Sequence, residues 1–399
     1  MKRTSARRTL IAGLAVAAAG LLATTLTTVA GASTSGLGKT SAHTTALSCV
    51  RTISTPAREG RMAGIVNPAV NGNAVTCVNH NSNAAIGAPP LLYNGGPVMG
   101  TNQTGDLVIT PIFWSPADHQ MPASYQGLLT QYLNDVALSS ARTNNVYSIS
   151  TEYSGTNGQI QLGSVLGNPI TDTNSLPAAG CTLLPADTAN IYVDGTGYDT
   201  CIDDAQITGE IDSILAANNL PVDLHHIYVM YLPKHVESCF NAGETSDANN
   251  ACTINHEPSA AFCAYHSFDS INNIYANMPF AIYHSPVGFT CGSDSRRAGF
   301  GALQSPNNNP DGDVETSPTS HEINEAWTDP MLNSWFDQIG FEDGDECNGV
   351  YGPVLGLPGM FYNQKLGLHH YLTQEEFSNK DFFMTGLGCK QGEASIQGT

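Results

Sequence analysis

Leu107-Val108-Ile109-Thr110-Pro111-Ile112-Phe113-Trp114, followed beyond a polar turn by Tyr125, Leu128, Leu129, Tyr132, Leu133 and Val136, decides the fold class of this 399-residue chain. The first run has the β-branched and aromatic make-up of a strand, and Pro111, which has no N–H to give a ladder, predicts an edge strand or a bulge there. The second set recurs at spacings of three and four between Pro122 and Leu138, which is one apolar stripe of a helix whose simplest role is core packing. The alternation continues. Strand-like runs lie at Val146 to Tyr153, Ile191 to Val193, Ile227 to Leu232 and Phe280 to His284, while Ile207, Ile211, Ile214 and Leu215 mark a second helix. Strands interleaved with helices predict an α/β fold: a layered single domain with a central mixed sheet flanked by helices.

The chain around this domain reads differently. Met1-Lys2-Arg3 and Arg7-Arg8 precede an apolar stretch from Leu10 to Ala30 and a small-residue Ala30-Gly31-Ala32 site, the pattern of a cleaved secretory signal over residues 1–32. Residues 33–90 are rich in Ala, Ser, Thr, Asn and Gly and poor in large apolar side chains, as expected of a weakly ordered leader or a pro-segment. The domain is expected over 91–399, with no membrane span in the mature chain and secretion as the destination.

Charge and cysteine count narrow the partners. Lys plus Arg number 15 against 35 Asp plus Glu, a net charge of −20 that disfavours nucleic acid and anionic membranes. Ten cysteines in an exported chain imply an oxidised framework. Loop-closure entropy favours near neighbours, giving Cys49–Cys77, Cys181–Cys201, Cys239–Cys252, Cys263–Cys291 and Cys347–Cys389 as the expected pairs. No C-x-x-C pair is present for a thiolate zinc or redox site.

The chemistry concentrates in Ser320-His321-Glu322-Ile323-Asn324-Glu325-Ala326-Trp327-Thr328-Asp329-Pro330. On a helix, His321 and Glu325 share a face and can grip one cation while Glu322 points towards a bound water. This is the arrangement of H-E-x-x-H zinc proteases with Glu325 in place of the second histidine, a zincin-like motif helix in the C-terminal third. Ser317 is expected to cap that helix, with Pro318 in its first turn and Pro330 ending it. The acidic cluster Glu342-Asp343-Gly344-Asp345-Glu346-Cys347 follows, and a short loop can return Asp345, or Glu342, as the third ligand, with Asp329 the second choice. Zn2+ is the expected ion; carboxylate donors also admit manganese or calcium. The Asn307 to Glu315 stretch, with Asp311 and Asp313, offers a separate calcium loop. His266 and His284 are alternative ligands, His266 being read as structural beside a disulfide. Tyr351, Tyr362, Tyr371, His369 and His370 are candidate oxyanion donors that more simply read as packing.

With those segments in view, the chain resembles the EXORDIUM, or phosphate-induced protein, family of secreted plant and bacterial proteins. The resemblance runs in order from Tyr93-Asn94-Gly95-Gly96-Pro97-Val98-Met99 through Ile227-Tyr228-Val229-Met230-Tyr231-Leu232, Cys263-Ala264-Tyr265-His266 and Asp311-Gly312-Asp313-Val314. It closes on the motif helix and Asp345-Glu346-Cys347-Asn348-Gly349-Val350-Tyr351-Gly352. Plant members are linked to cell expansion in the wall space, so the resemblance implies an extracellular, wall-associated binding protein. The residue chemistry implies instead a metal-dependent hydrolase, a peptidase acting on a peptide or protein substrate with His321, Glu325 and Asp345 on the metal and Glu322 as general base.

Overall fold

The computed structural model describes residues 87–189, 191–192, 194–243, 252–253, 262–281 and 304–393. The expected signal sequence and leader up to residue 86, with Cys49, Cys77, Cys291 and His284, lie outside the described residues.

The centre is a mixed sheet. Its strands are β1 (Leu107–Trp114), β2 (Ser164–Leu166), β3 (Ile170–Asp172), β4 (His226–Tyr231), β5 (Tyr265–Phe268) and β6 (Ile274–Met278), in the spatial order β5-β6-β4-β1-β2 with β3 also on β1. Only the β5–β6 hairpin is antiparallel; β6, β4, β1, β2 and β3 run parallel. Side chains alternate between the two faces. Ile109, Phe113, Ile227, Val229 and Tyr231 pack with α1 (Ala123–Ser139) and α3 (Pro310–Thr328) on one side. Ile112, Trp114, Tyr228 and Met230 pack with Ile207, Ile211, Ile214 and Leu215 of α2 (Asp204–Asn218) on the other. Both predicted amphipathic helices are thus present, and the layered α/β architecture with a mixed central sheet holds.

Pro111 sits at neither an edge nor a bulge. Val108 donates its N–H towards the β4 side, to His225 O. Groups alternate along a strand, so position 111 faces the other side, where β2 pairs Leu107–Ile109 and β3 pairs Ile112–Trp114. The missing N–H falls at the break between two short neighbours, where no ladder bond is owed.

Two predicted strands are corrected. Val146–Glu152 is a 3-10 helix: Ser148 Oγ donates back to Asn145 O at 2.8 Å and Thr151 Oγ1 to Ser148 O at 2.7 Å, so hydroxyls complete turns that alternation alone reads as extended. Ile191 and Tyr192 lie in a bend whose N–H groups both reach Thr196 O. At the fourth run, Phe280 and Ala281 are outside any strand. The β5–β6 hairpin, absent from the sequence expectation, forms the sheet edge instead.

Three expected disulfides are present: Cys181–Cys201, Cys239–Cys252 and Cys347–Cys389. Cys263 is also disulfide-bonded. No helix among the described residues is long and apolar enough to cross a membrane.

Candidate metal centre

The motif helix begins seven residues earlier than Ser317. Asn309 caps α3, its side chain accepting from Gly312 N, and Pro310 takes the first position, where a missing N–H costs nothing. Pro318 lies inside the helix rather than in its first turn. Its lost backbone bond is set against the tertiary packing of a helix that is buried from Gly312 to Thr328. Ser317, displaced from the cap, accepts from Gln374 N. The helix ends as expected, at Thr328.

His321, Glu322 and Glu325 of α3 meet two other elements. The short helix α4 (Asp343–Glu346) brings Asp345, and β5 brings His266. His321 Nε2 lies 2.8 Å from Glu325 Oε1 and 3.8 Å from Asp345 Oδ1. His266 Nδ1 lies 3.6 Å from both Glu322 Oε2 and Glu325 Oε2, and its Nε2 is 3.9 Å from Glu342 Oε1 and 3.2 Å from Asp329 O. Two donor groups result, His321/Glu325/Asp345 and His266/Glu322/Glu325, each with ligand atoms inside 4.8 Å and joined through Glu325. The three predicted ligands and the predicted base are therefore brought together, and His266 joins them. Nothing inherent in Cys263-Ala264-Tyr265-His266 distinguishes a ligand from a packed histidine; the β5–β6 hairpin places it.

Local backbone shapes the arrangement. A Cβ on Gly344 would lie 2.7 Å from His321 Nδ1, so only glycine lets α4 approach the imidazole. Asp345 N donates to Glu325 Oε1 at 2.9 Å, and Gln374 Nε2 pins Gly344 O at 2.7 Å. Cys347–Cys389 ties the end of α4 to the strand Cys389–Lys390, which pairs antiparallel with the strand carrying Glu376.

Every member of the cluster is essentially solvent-free, with His266, His321, Glu322, Glu325, Asp343 and Glu376 at 0% exposure. Burial without partners is costly, and Glu325 Oε2, Asp343 Oδ2, Asp345 Oδ1, both oxygens of Glu376 and His266 Nδ1 have no hydrogen-bond partner among the described residues. Burial pushes Asp343 up to about 7, with the Glu325 charge adding to it, and lifts Asp345 and Glu376 well above the carboxylate range. Glu322 rises to about 7 because burial outweighs its histidine contacts. Glu325 resists burial and falls to about 2 through the charge of His321, 2.8 Å away, and the nearness of His266. Burial would lower the histidines, yet the surrounding carboxylates raise His266 to about 10 and His321 well above its usual value. Such a set, rich in acids and with no Lys or Arg in it among the described residues, could hold a metal ion.

Other candidates serve different ends. Asp329 Oδ1 accepts from Asn333 N and Ser334 N, both at 2.6 Å, and shapes the turn after α3. Asp313 accepts from Ser305 Oγ, Asn307 N, Asn307 Nδ2 and Asn309 N in the first turns of α3, which replaces the expected calcium loop by a hydrogen-bonded helix start. Tyr371 and His369 both bond Asp135, and His370 stacks on Tyr362 with ring centroids 3.9 Å apart. Tyr351 lies by Ser317, with its hydroxyl 3.5 Å from Ser317 Oγ. Glu376 and Asp343 are the members that sequence reasoning passed over, since acids are abundant and nothing local marks them. Comparison of the chain with protein-family models, with curated proteins and with solved structures finds no match.

Proposed function

We propose that the protein holds a divalent cation, zinc first, around Glu325, and that it is an exported metal-dependent hydrolase of the peptidase type. One observation carries the cation: a shared, buried carboxylate flanked by two histidines, with acidic oxygens around it that no donor among the described residues satisfies. The donor set fits zinc, for which one imidazole and two carboxylates are accepted ligands. His321, Glu325 and Asp345 would hold the ion, which supplies Lewis acidity and a lowered water pKa when bound.

In this reading Glu322 accepts the proton of the attacking water and returns it to the leaving amine of a peptide or protein substrate. Its raised pKa, about 7, suits a group that takes and gives a proton near neutrality. His266, 3.6 Å from Glu322, orients it. The family resemblance is compatible with such a metal-bearing form and rests on the ordered sequence segments.

A second reading is favoured by the complete burial of the site. The 3.6 Å separations around His266 are longer than hydrogen bonds and close to the spacing between ligands on one small cation. If His266, Glu322 and Glu325 bind the ion, Glu322 is a ligand, no base remains, and the centre braces a non-enzymatic wall-binding domain. Elemental analysis and peptide-library cleavage on Glu322→Gln, His321→Ala and His266→Ala separate the two. Metal retained with cleavage reduced ~10²–10⁴-fold in Glu322→Gln supports the hydrolase. Metal lost from Glu322→Gln and His266→Ala but kept in His321→Ala overturns it in favour of the brace.

A further inference from the structure

Behind α4 lies a second acidic pair that the cation reading does not use. Asp337 Oδ1 accepts from the N–H groups of Ile339, Gly340 and Phe341 at 2.6–2.8 Å, and its Oδ2 accepts from Ala88 N at 2.5 Å. Glu346 is 0% exposed and faces the Asp337 carboxyl, and among the described residues no N–H or hydroxyl serves either of its oxygens. Gly87 closes this pocket. A Cβ built on Gly87 would sit 2.8 Å from Asp337 Oδ2, 3.1 Å from Glu346 Oε1 and 2.7 Å from Phe341 Cδ2.

We propose that the chain is matured by cleavage of the Ile86–Gly87 peptide bond and that the new α-ammonium of Gly87 ion-pairs with Asp337 and Glu346. Hydrolysis by a peptidase adds water across the bond: Ile86 departs as a carboxylate, and the neutral amide nitrogen of Gly87 becomes a primary ammonium. Once released from residue 86, Gly87 turns freely about its Cα–C bond. A third of a turn moves the nitrogen into the direction of the built Cβ, and the bond lengths are nearly equal. The ammonium then stands about 2.8 and 3.1 Å from the two acid oxygens, the range of charge-assisted hydrogen bonds. The Phe341 edge, 2.7 Å from that position, must shift by more than half an ångström to make room. In the uncut chain a Cβ here would meet both acids and Phe341, so glycine is the residue that fits. Because Glu346 follows Asp345 on α4, removal of the leader would brace the helix that carries a proposed ligand. The proposal stands whether or not the cation centre is catalytic.

The test keeps the full chain and replaces residues 83–86 by a protease recognition sequence whose cut leaves Gly87 first. A control chain carries the same sequence a few residues upstream, so that its cut leaves extra peptide on Gly87. With chelator present throughout, cutting at Gly87 is expected to raise Tm by roughly 2–4 °C over the uncut chain, while the control cut does not. In Glu346→Gln the gain disappears. An equal Tm for both cuts, or a gain that survives in Glu346→Gln, overturns the proposal. A gain seen only without chelator does too, because it identifies a cation at the pair. Intact mass of the naturally secreted protein gives an independent reading: a start at Gly87 supports it, and a start elsewhere overturns it.

Discussion

The two halves of α3 treat buried acid in opposite ways. In the first half, Asp313 receives four protein donors, and Glu315 Oε2 accepts from Tyr125 OH at 3.0 Å and Ala281 N at 2.9 Å. In the second half, Glu325 faces two imidazoles, and the acids that pack on it from α4 and from Glu376 have oxygens that nothing in the described protein satisfies. The two acids of the first half are buried as well, Asp313 at 4% and Glu315 at 0% exposure. The difference teaches that burial alone does not announce a site; a carboxylate shared between two imidazoles and ringed by acids with unserved oxygens does.

The contrast breaks most visibly on chelation. Removing the ion at pH 8 is expected to cost roughly 3–4 kcal/mol of stability, the linkage value for an ion held at some hundreds of times its Kd, and zinc should restore it. Urea unfolding with and without chelator measures this; an unchanged midpoint would mean that the second half of α3 needs no ion.

The next effect is in pH. Asp343, at about 7 against an ordinary 3.8, and Glu376, also raised, contribute stability that is fully present below their unfolded values and disappears as pH rises through the folded ones. Glu325, depressed to about 2, acts oppositely, and its contribution is lost only as pH falls below the usual glutamate range. Metal-free protein should therefore lose stability between about pH 4 and pH 7, whereas the loaded form changes far less over that window. Thermal melts across the range with and without zinc check the sign.

The smallest effect sharpens the comparison from the other half. Burial raises Glu315 to about 8, so it is neutral at pH 7 and Glu315→Gln preserves its role as acceptor. The expected loss is about 1 kcal/mol or less, with metal content unchanged. A loss of metal in this variant would show that the two halves form one electrostatic unit.

Much of this was legible from residues. Tyr125 to Val136 and Ile207 to Leu215 have the period of helices and are helices, and near-neighbour pairing of cysteines holds for the three bridges whose both ends are described. The convergence of His321, Glu325 and Asp345 follows from helical spacing plus a short return. What escaped was non-local. Ser148 and Thr151 turn their segment by hydroxyl bonds that alternation does not register, and Pro111 is excused by a gap between strands far away in sequence. His266 becomes a candidate ligand only because β5 is laid against the end of α3, which no pattern near residue 266 foretells.

The Cys347–Cys389 bridge has a kinetic consequence. It fastens the end of α4 to the strand paired with the one that carries Glu376, so a covalent bond and one strand pairing back the cluster. An ion inside cannot leave by swinging that flap aside, so exchange with the medium should run on the timescale of local unfolding. Under the proposed function, a cation once enclosed would be permanent cargo and not an exchanging cofactor.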